Sequence, residues 1–174
     1  MARASQDRTL SLARVVLKVL LVLNLICLAM VALVLAGSFV AETQVLEAME
    51  RHPRSNDPQT LMAALRIVMI IGLVAVPLAH VILSRLLAMV DTVRSGDPFV
   101  SDNARRLTII AWALLGLQIL DLGLGAVSIG MVSDLREFEW SFGLTGWIAV
   151  VMLFVLARVF HHGARMREEL EGTV

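Results

Sequence analysis

The sequence predicts an all-α integral membrane protein built as a four-helix bundle, and its composition and charge distribution support this. Hydrophobic residues make up 58% of the 174-residue chain, and the mean hydropathy is +0.81. Charged residues make up only 17% and lie in blocks between long apolar runs, instead of recurring on one face of amphipathic helices. A soluble domain of this length would not show that composition.

Four apolar segments are long enough to span a bilayer. A helix needs about 20 apolar residues to cross roughly 30 Å of hydrocarbon. The segments cover residues 15–40, 61–87, 107–132 and 142–160. We expect Pro77 to kink the second helix, because proline cannot donate a hydrogen bond to the carbonyl of Leu73. No internal repeat or linker interrupts the chain, so residues 1–174 are expected to form a single transmembrane domain.

The distribution of Lys and Arg predicts the orientation, because basic residues near span ends are retained in the cytoplasm. Eleven of the fifteen flank the N-terminal segment, the second connection and the C-terminal end: Arg3, Arg8, Arg14, Lys18, Arg85, Arg94, Arg105, Arg106, Arg158, Arg165 and Arg167. The other four are Arg51, Arg54, Arg66 and Arg136. Four spans then place both termini, the loop 88–106 and the tail 161–174 on the cytoplasmic side of a bacterial inner membrane.

The sequence argues against several function classes. Fifteen acidic residues balance fifteen basic ones, which does not favour direct nucleic-acid binding. Cys27 is the one cysteine, so neither a disulfide framework nor a cysteine metal site is expected. A bis-histidine haem would need His80 with His161 or His162, which differ in depth by about two turns. With no catalytic triad or phosphate-binding glycine loop in the sequence, we expect no enzyme activity, no cofactor and no metal.

Four polar side chains fall inside the predicted spans, where ionisable groups cost about 2.5–3.5 kcal/mol at the helix centre. Gln118 and Asp121 share one face of the third helix, with Asp121 expected near the bilayer centre. Asn24 lies in the first span and His80 in the second. We expect the four to form one buried polar network. It is either a structural interhelical network or a proton or cation relay, and water would have to bridge roughly 10 Å between His80 and Asp121.

Glycines make the third span slim at positions 116, 123, 125 and 130. Small residues let another backbone approach closely. The neighbour is either another helix of the same chain or a second copy, so a homo-oligomer is one alternative.

The second connection and the C-terminal tail carry the most motif-like sequences. In RSGDPFVSDNARRL, glycine and proline end the second helix, Phe99 offers an exposed aromatic, and Ser101 or Asp102 caps the third helix. The tail ARVFHHGARMREELEGTV changes from apolar to mixed charge, which predicts that the fourth helix projects beyond the bilayer. Each segment is either an interfacial turn or solvated helix end, or a docking surface for a partner.

In these two motifs and in its four-span length, the chain resembles the family of bacterial membrane proteins known as domain of unknown function 2975. The matching positions are Gly96, Asp97, Pro98, Phe99, Asn103, Gly163, Arg165, Arg167 and Glu168. Members of that family are often encoded beside a small helix-turn-helix regulator. The resemblance implies that the protein restrains or signals to such a partner, and it supplies no catalytic residues.

Our leading hypothesis is a non-enzymatic inner-membrane protein that signals to, or tethers, a regulator through its cytoplasmic loop and tail. The docking candidates are Gly96, Asp97, Pro98, Phe99, Asn103, Arg165, Arg167 and Glu168. The alternative is a small transporter or ion- or proton-conducting protein that uses the polar network around Asp121.

Overall fold

Four long helices form the fold in the computed structural model, which describes residues 2–44, 47, 58–95, 100–131 and 141–171. They are α1 (Ala2–Val40), α2 (Pro58–Arg94), α3 (Ser101–Met131) and α4 (Leu144–Glu171). No strand occurs within these ranges, which confirms the all-α prediction. Each helix contains a stretch long and apolar enough to cross a membrane: Arg8–Val40, Gln59–Arg94, Ser101–Ile129 and Leu144–Arg167. The chain is therefore a multi-pass membrane protein.

The helices are longer than the apolar runs that predicted them. α2 continues to Arg94 and α3 begins at Ser101, so most of the predicted loop 88–106 is helical. The reason is mutual support, since the last turns of α2 and the first turns of α3 exchange hydrogen bonds. α2 also runs as one helix through Pro77, whose side chain is exposed. The kink there stays a prediction.

The helices pack as a row. α1 packs against α2, α2 against α3 and α3 against α4, and in the described ranges no other pair of helices is in contact. The sequence predicted a four-helix bundle, and the structure corrects this arrangement to a row of four helices. In lipid, no hydrophobic force drives a row of apolar helices to close on itself, because the hydrocarbon solvates an exposed leucine as well as a protein neighbour does. Leu33 on α1, 72% exposed, illustrates such a face.

Neighbouring helices run antiparallel in a well-defined register. At one end of the first pair, Arg14 of α1 contacts Asp91 of α2, and at the other end Ser38 of α1 contacts Arg66 of α2. The alternation continues through α3 and α4, so α1 begins and α4 ends at the same end of the row. We call this the termini end, and the opposite one the far end.

Small residues bring the last three helices together. α4 turns Val150, Ala157 and Ala164, spaced seven apart, into its interface, and all three are buried. On α3, an ideal Cβ on Gly116 would lie 3.1 Å from Leu78 of α2. At this glycine the close neighbour is a helix of the same chain.

Candidate functional site

A buried asparagine organises the termini end of the row. Asn103, in the first turn of α3, is 0% exposed. Its Nδ2 donates to the hydroxyl of Thr92 on α2 at 2.9 Å, and that hydroxyl donates to the Met89 carbonyl at 2.7 Å. Arg106 donates from Nη1 to Asn103 Oδ1 at 2.8 Å and reaches the Ala88 carbonyl at 3.3 Å. These contacts fix the end of α2 against the start of α3, on both sides of the connection.

An ion pair joins α1 to α2 at the same end. Arg14 Nε lies 3.0 Å from Asp91 Oδ1, although its N–H is not aligned for a hydrogen bond. The two side chains are 37% and 43% exposed, so the attraction is screened and contributes at most about 1 kcal/mol. Its effect is to align the first two helices.

The last turns of α4 project from this end. Trp112 of α3 packs edge-to-face on Phe154 of α4, with ring centroids 5.3 Å apart. From that level, α3 reaches its first residue in 11 positions whereas α4 continues for 17 to Glu171, so α4 extends about 9 Å further at 1.5 Å per residue. Arg165 and Glu169 form an exposed i,i+4 pair at 3.1 Å on this extension. The result is a charged helix end that extends beyond the first residue of α3.

Asn24 and His80 lie at the same height in the α1–α2 interface. Each is 14 residues from the contact between Ser38 and Arg66, so equal helical rise brings them level with each other. Asn24 Oδ1 and His80 Nδ1 are both buried without a hydrogen-bond partner. This interface therefore holds two unsatisfied polar atoms at one depth.

Gln118 and Asp121 belong to a different interface. The Gln118 amide lies against Gly146 of α4, in the space that a Cβ there would fill. Asp121, one turn further along α3, is level with the start of α4 at Leu144. Its depth in the bilayer stays a prediction. No hydrogen bond in the described part of the chain joins any two of Asn24, His80, Gln118 and Asp121. Because α1 contacts only α2 there, the four do not form the single network we expected.

Comparison with known proteins adds one result to this geometry. The family model described as "Protein of unknown function (DUF2975)" matches residues 4–174. The chain belongs to the DUF2975 family. No curated protein and no solved structure matches it.

The docking candidates of this DUF2975 protein differ in their exposure, and some lie outside the described residues. Gly96, Asp97, Pro98 and Phe99 lie outside the described residues, as does the side chain of Glu168. Arg165 and Arg167 are exposed on the projecting end of α4. Asn103 offers no surface to a partner, and its candidacy needs correction. Its amide hydrogen-bonds to Thr92 of α2 and to Arg106 of α3, because a buried polar group must be hydrogen-bonded inside the protein.

Several residues that shape the termini end escaped the sequence analysis. Thr92 and Asp91 were not singled out, and Arg14 was counted only as one of the basic residues that predict the orientation; the contacts of all three depend on antiparallel packing. A usable signal was present in DTVRSGDPFVSDNARRL, where polar residues recur on both sides of a glycine–proline break. In the described residues of the DUF2975 protein, no group of three His, Cys, Asp or Glu side chains could hold a metal ion.

Proposed function

We propose that this DUF2975 protein is a non-enzymatic signalling or regulator-tethering protein of the bacterial inner membrane. Its termini end faces the cytoplasm, where the 95–100 connection and the projecting end of α4 bind a soluble partner. The family resemblance makes a small helix-turn-helix regulator the first candidate for that partner.

The observation that carries the proposal is the projection of α4 beyond α3. A helix end that extends beyond the first turn of α3, with Arg165, Arg167 and Glu169 on an exposed surface, suits a partner of mixed charge. The hydrogen bonds of Asn103 with Thr92 and Arg106 support the 95–100 connection as the second part of the proposed surface, since they hold both flanks of that connection in place. Lys and Arg predominate at this end, which supports the cytoplasmic orientation.

The test is co-purification of the full-length, affinity-tagged protein with candidate regulators. Phe99→Ala and Arg167→Ala each remove one proposed docking side chain, and both are expected to reduce recovery of the regulator at least severalfold. Arg85→Ala is the matched control, because Arg85 is an exposed arginine of α2 outside the proposed surface. Undiminished recovery of the regulator with both docking variants would contradict the proposed docking surface. An equal loss with Arg85→Ala would show that recovery depends on the overall positive charge and not on this surface.

A second function, that of a small transporter or an ion- or proton-conducting protein, has one observation in its favour. Asn24 and His80 bring two unsatisfied polar atoms to one depth within apolar helices, as ion and proton pathways do. Asp121 lies in a separate interface, so a continuous path through one chain would need a second copy to complete it. Ion flux into proteoliposomes that is lost in Asp121→Asn would favour this function. Flux that is absent, or unchanged in the variant, would exclude it.

A further inference from the structure

A cavity of about 560 Å³ opens between the first turns of α3 and the second half of α4. Its wall includes Ser101, Arg105 and Thr108 from α3, and Phe154, Arg158 and His161 from α4. Polar and cationic groups therefore line one part of the cavity, and an aromatic ring lines another.

The two arginines of this cavity lack carboxylate partners. In the described chain, Arg14, Arg66, Arg106 and Arg165 each have a carboxylate within 4 Å, whereas Arg105 and Arg158 have none. Asp102 also lines the cavity, but its carboxylate lies 3.8 Å from Arg106. Two guanidinium groups that share a cavity repel each other, and an anion between them would relieve the repulsion. The charge pattern selects an anionic ligand.

The position of the cavity indicates which anion. Arg105 precedes the predicted apolar segment 107–132 by two residues and Arg158 lies two residues before the end of segment 142–160, which places both near the level where a bilayer carries its phosphate groups. Deeper along α3, Trp112 is 62% exposed and packs against Phe154 of the cavity wall. Trp112 lies about two helical turns below Arg105, so its exposed ring offers an apolar surface to an acyl chain. A ligand with a phosphate head and an apolar tail would meet suitable surfaces in both parts.

We propose that the cavity binds the headgroup of an anionic phospholipid. Arg105 and Arg158 hold the phosphate, His161 lies beside it, and an acyl chain follows Trp112 and Phe154. Basic pockets between membrane helices are known to recognise such headgroups. The proposal is independent of the regulator-binding function and of the orientation, since both leaflets present phosphates.

The test uses the full-length protein in detergent, titrated with phosphatidylglycerol, phosphatidylcholine or inorganic phosphate, with thermal stability and native mass spectrometry as readouts. We expect phosphatidylglycerol to bind at least about tenfold more tightly than phosphatidylcholine. The double variant Arg105→Gln with Arg158→Gln should lose that preference. Arg85→Gln with Arg94→Gln removes the same charge from exposed positions of α2 outside the cavity, and should retain it.

Three results would overturn the proposal. The wild type could bind both lipids equally, or the α2 control could lose the preference as fully as the cavity variant. Alternatively, inorganic phosphate alone could reproduce the whole effect with none added by lipid, which would assign the cavity to free phosphate. Circular dichroism of the lipid-free variants checks their folding, and the single variant Arg158→Gln replaces the double variant if the latter does not fold.

Discussion

The side-chain amide of Gln118 occupies the space beside Gly146 that any larger residue would need for its Cβ. We therefore expect Gly146→Ala to destabilise the α3–α4 interface. The free energy of unfolding in detergent should fall by about 1 kcal/mol, the low end of overpacking costs, because the amide can rotate away. Gly37→Ala is the control, since nothing lies within 4 Å of a Cβ there.

The same relationship predicts a rescue. In the double variant Gly146→Ala with Gln118→Ala, the shorter side chain at position 118 removes the clash. Its loss of unfolding free energy should therefore be smaller than the sum of the losses in the two single variants. Strict additivity of the two single variants would contradict the contact between α3 and α4 at this level.

Arg66 links α1 and α2 at the far end through several polar contacts. Its Nη2 donates to the Ser38 carbonyl at 2.7 Å and to Glu42 Oε2 at 3.1 Å, and its guanidinium lies 4.1 Å from the Phe39 ring centroid. Arg66→Ala should lower the free energy of unfolding by about 1–3 kcal/mol, because charge-assisted hydrogen bonds and ring stacking are lost together. Arg66→Lys should recover only part of this, since lysine lacks the planar fork.

The control for that series is Arg85→Ala, which removes an exposed arginine from the same helix. Its unfolding free energy should stay within about 0.5 kcal/mol of the wild type. Chemical denaturation of all three variants in one detergent makes the comparison. A loss at position 85 as large as that at position 66 would show that the contacts of Arg66 carry no special weight.

Through its one buried amide, Asn103 of α3 hydrogen-bonds to Thr92 of α2 and to Arg106 of its own helix. Asn103→Ala leaves Thr92 and Arg106 short of a partner and opens a cavity, so we expect a loss of about 1–3 kcal/mol. Asn103→Asp keeps the acceptor for Arg106 but removes the Nδ2 donor, and should fall between alanine and the wild type. Hydrogen exchange at the end of α2 should quicken most in the alanine variant. Unchanged exchange there would contradict the joining role.

The helices themselves were predictable from the sequence, because length and continuity of apolar residues are local properties. The 31-residue α3 follows directly from the run that begins after Arg106, extended by a turn that Asn103 anchors. The glycine at position 116 also indicated a close neighbour, and Leu78 is one such neighbour. Local sequence and packing agree at these positions.

The arrangement as a row was not predictable in the same way. In lipid an apolar face is equally satisfied by a neighbouring helix or by hydrocarbon, so hydropathy does not determine which helices touch. Asn24 and Asp121 both indicated a polar partner, yet one lies between α1 and α2 and the other on α3 beside the start of α4. Register decides which polar residues meet, and register depends on long-range contacts such as that between Arg66 and Ser38.

Asn24 and His80 provide the most direct test of that register. Both carry a buried polar atom without a partner, and each such atom costs about 1–3 kcal/mol relative to one that is hydrogen-bonded. Replacing both by leucine removes the two unsatisfied atoms from one interface, so the double variant should be at least as stable as the wild type towards unfolding. The change in unfolding free energy of the double variant should differ from the sum of the changes in the two single variants, since residues at one level of an interface are coupled. A double variant that loses several kcal/mol would mean that the two side chains satisfy each other, directly or through a buried water.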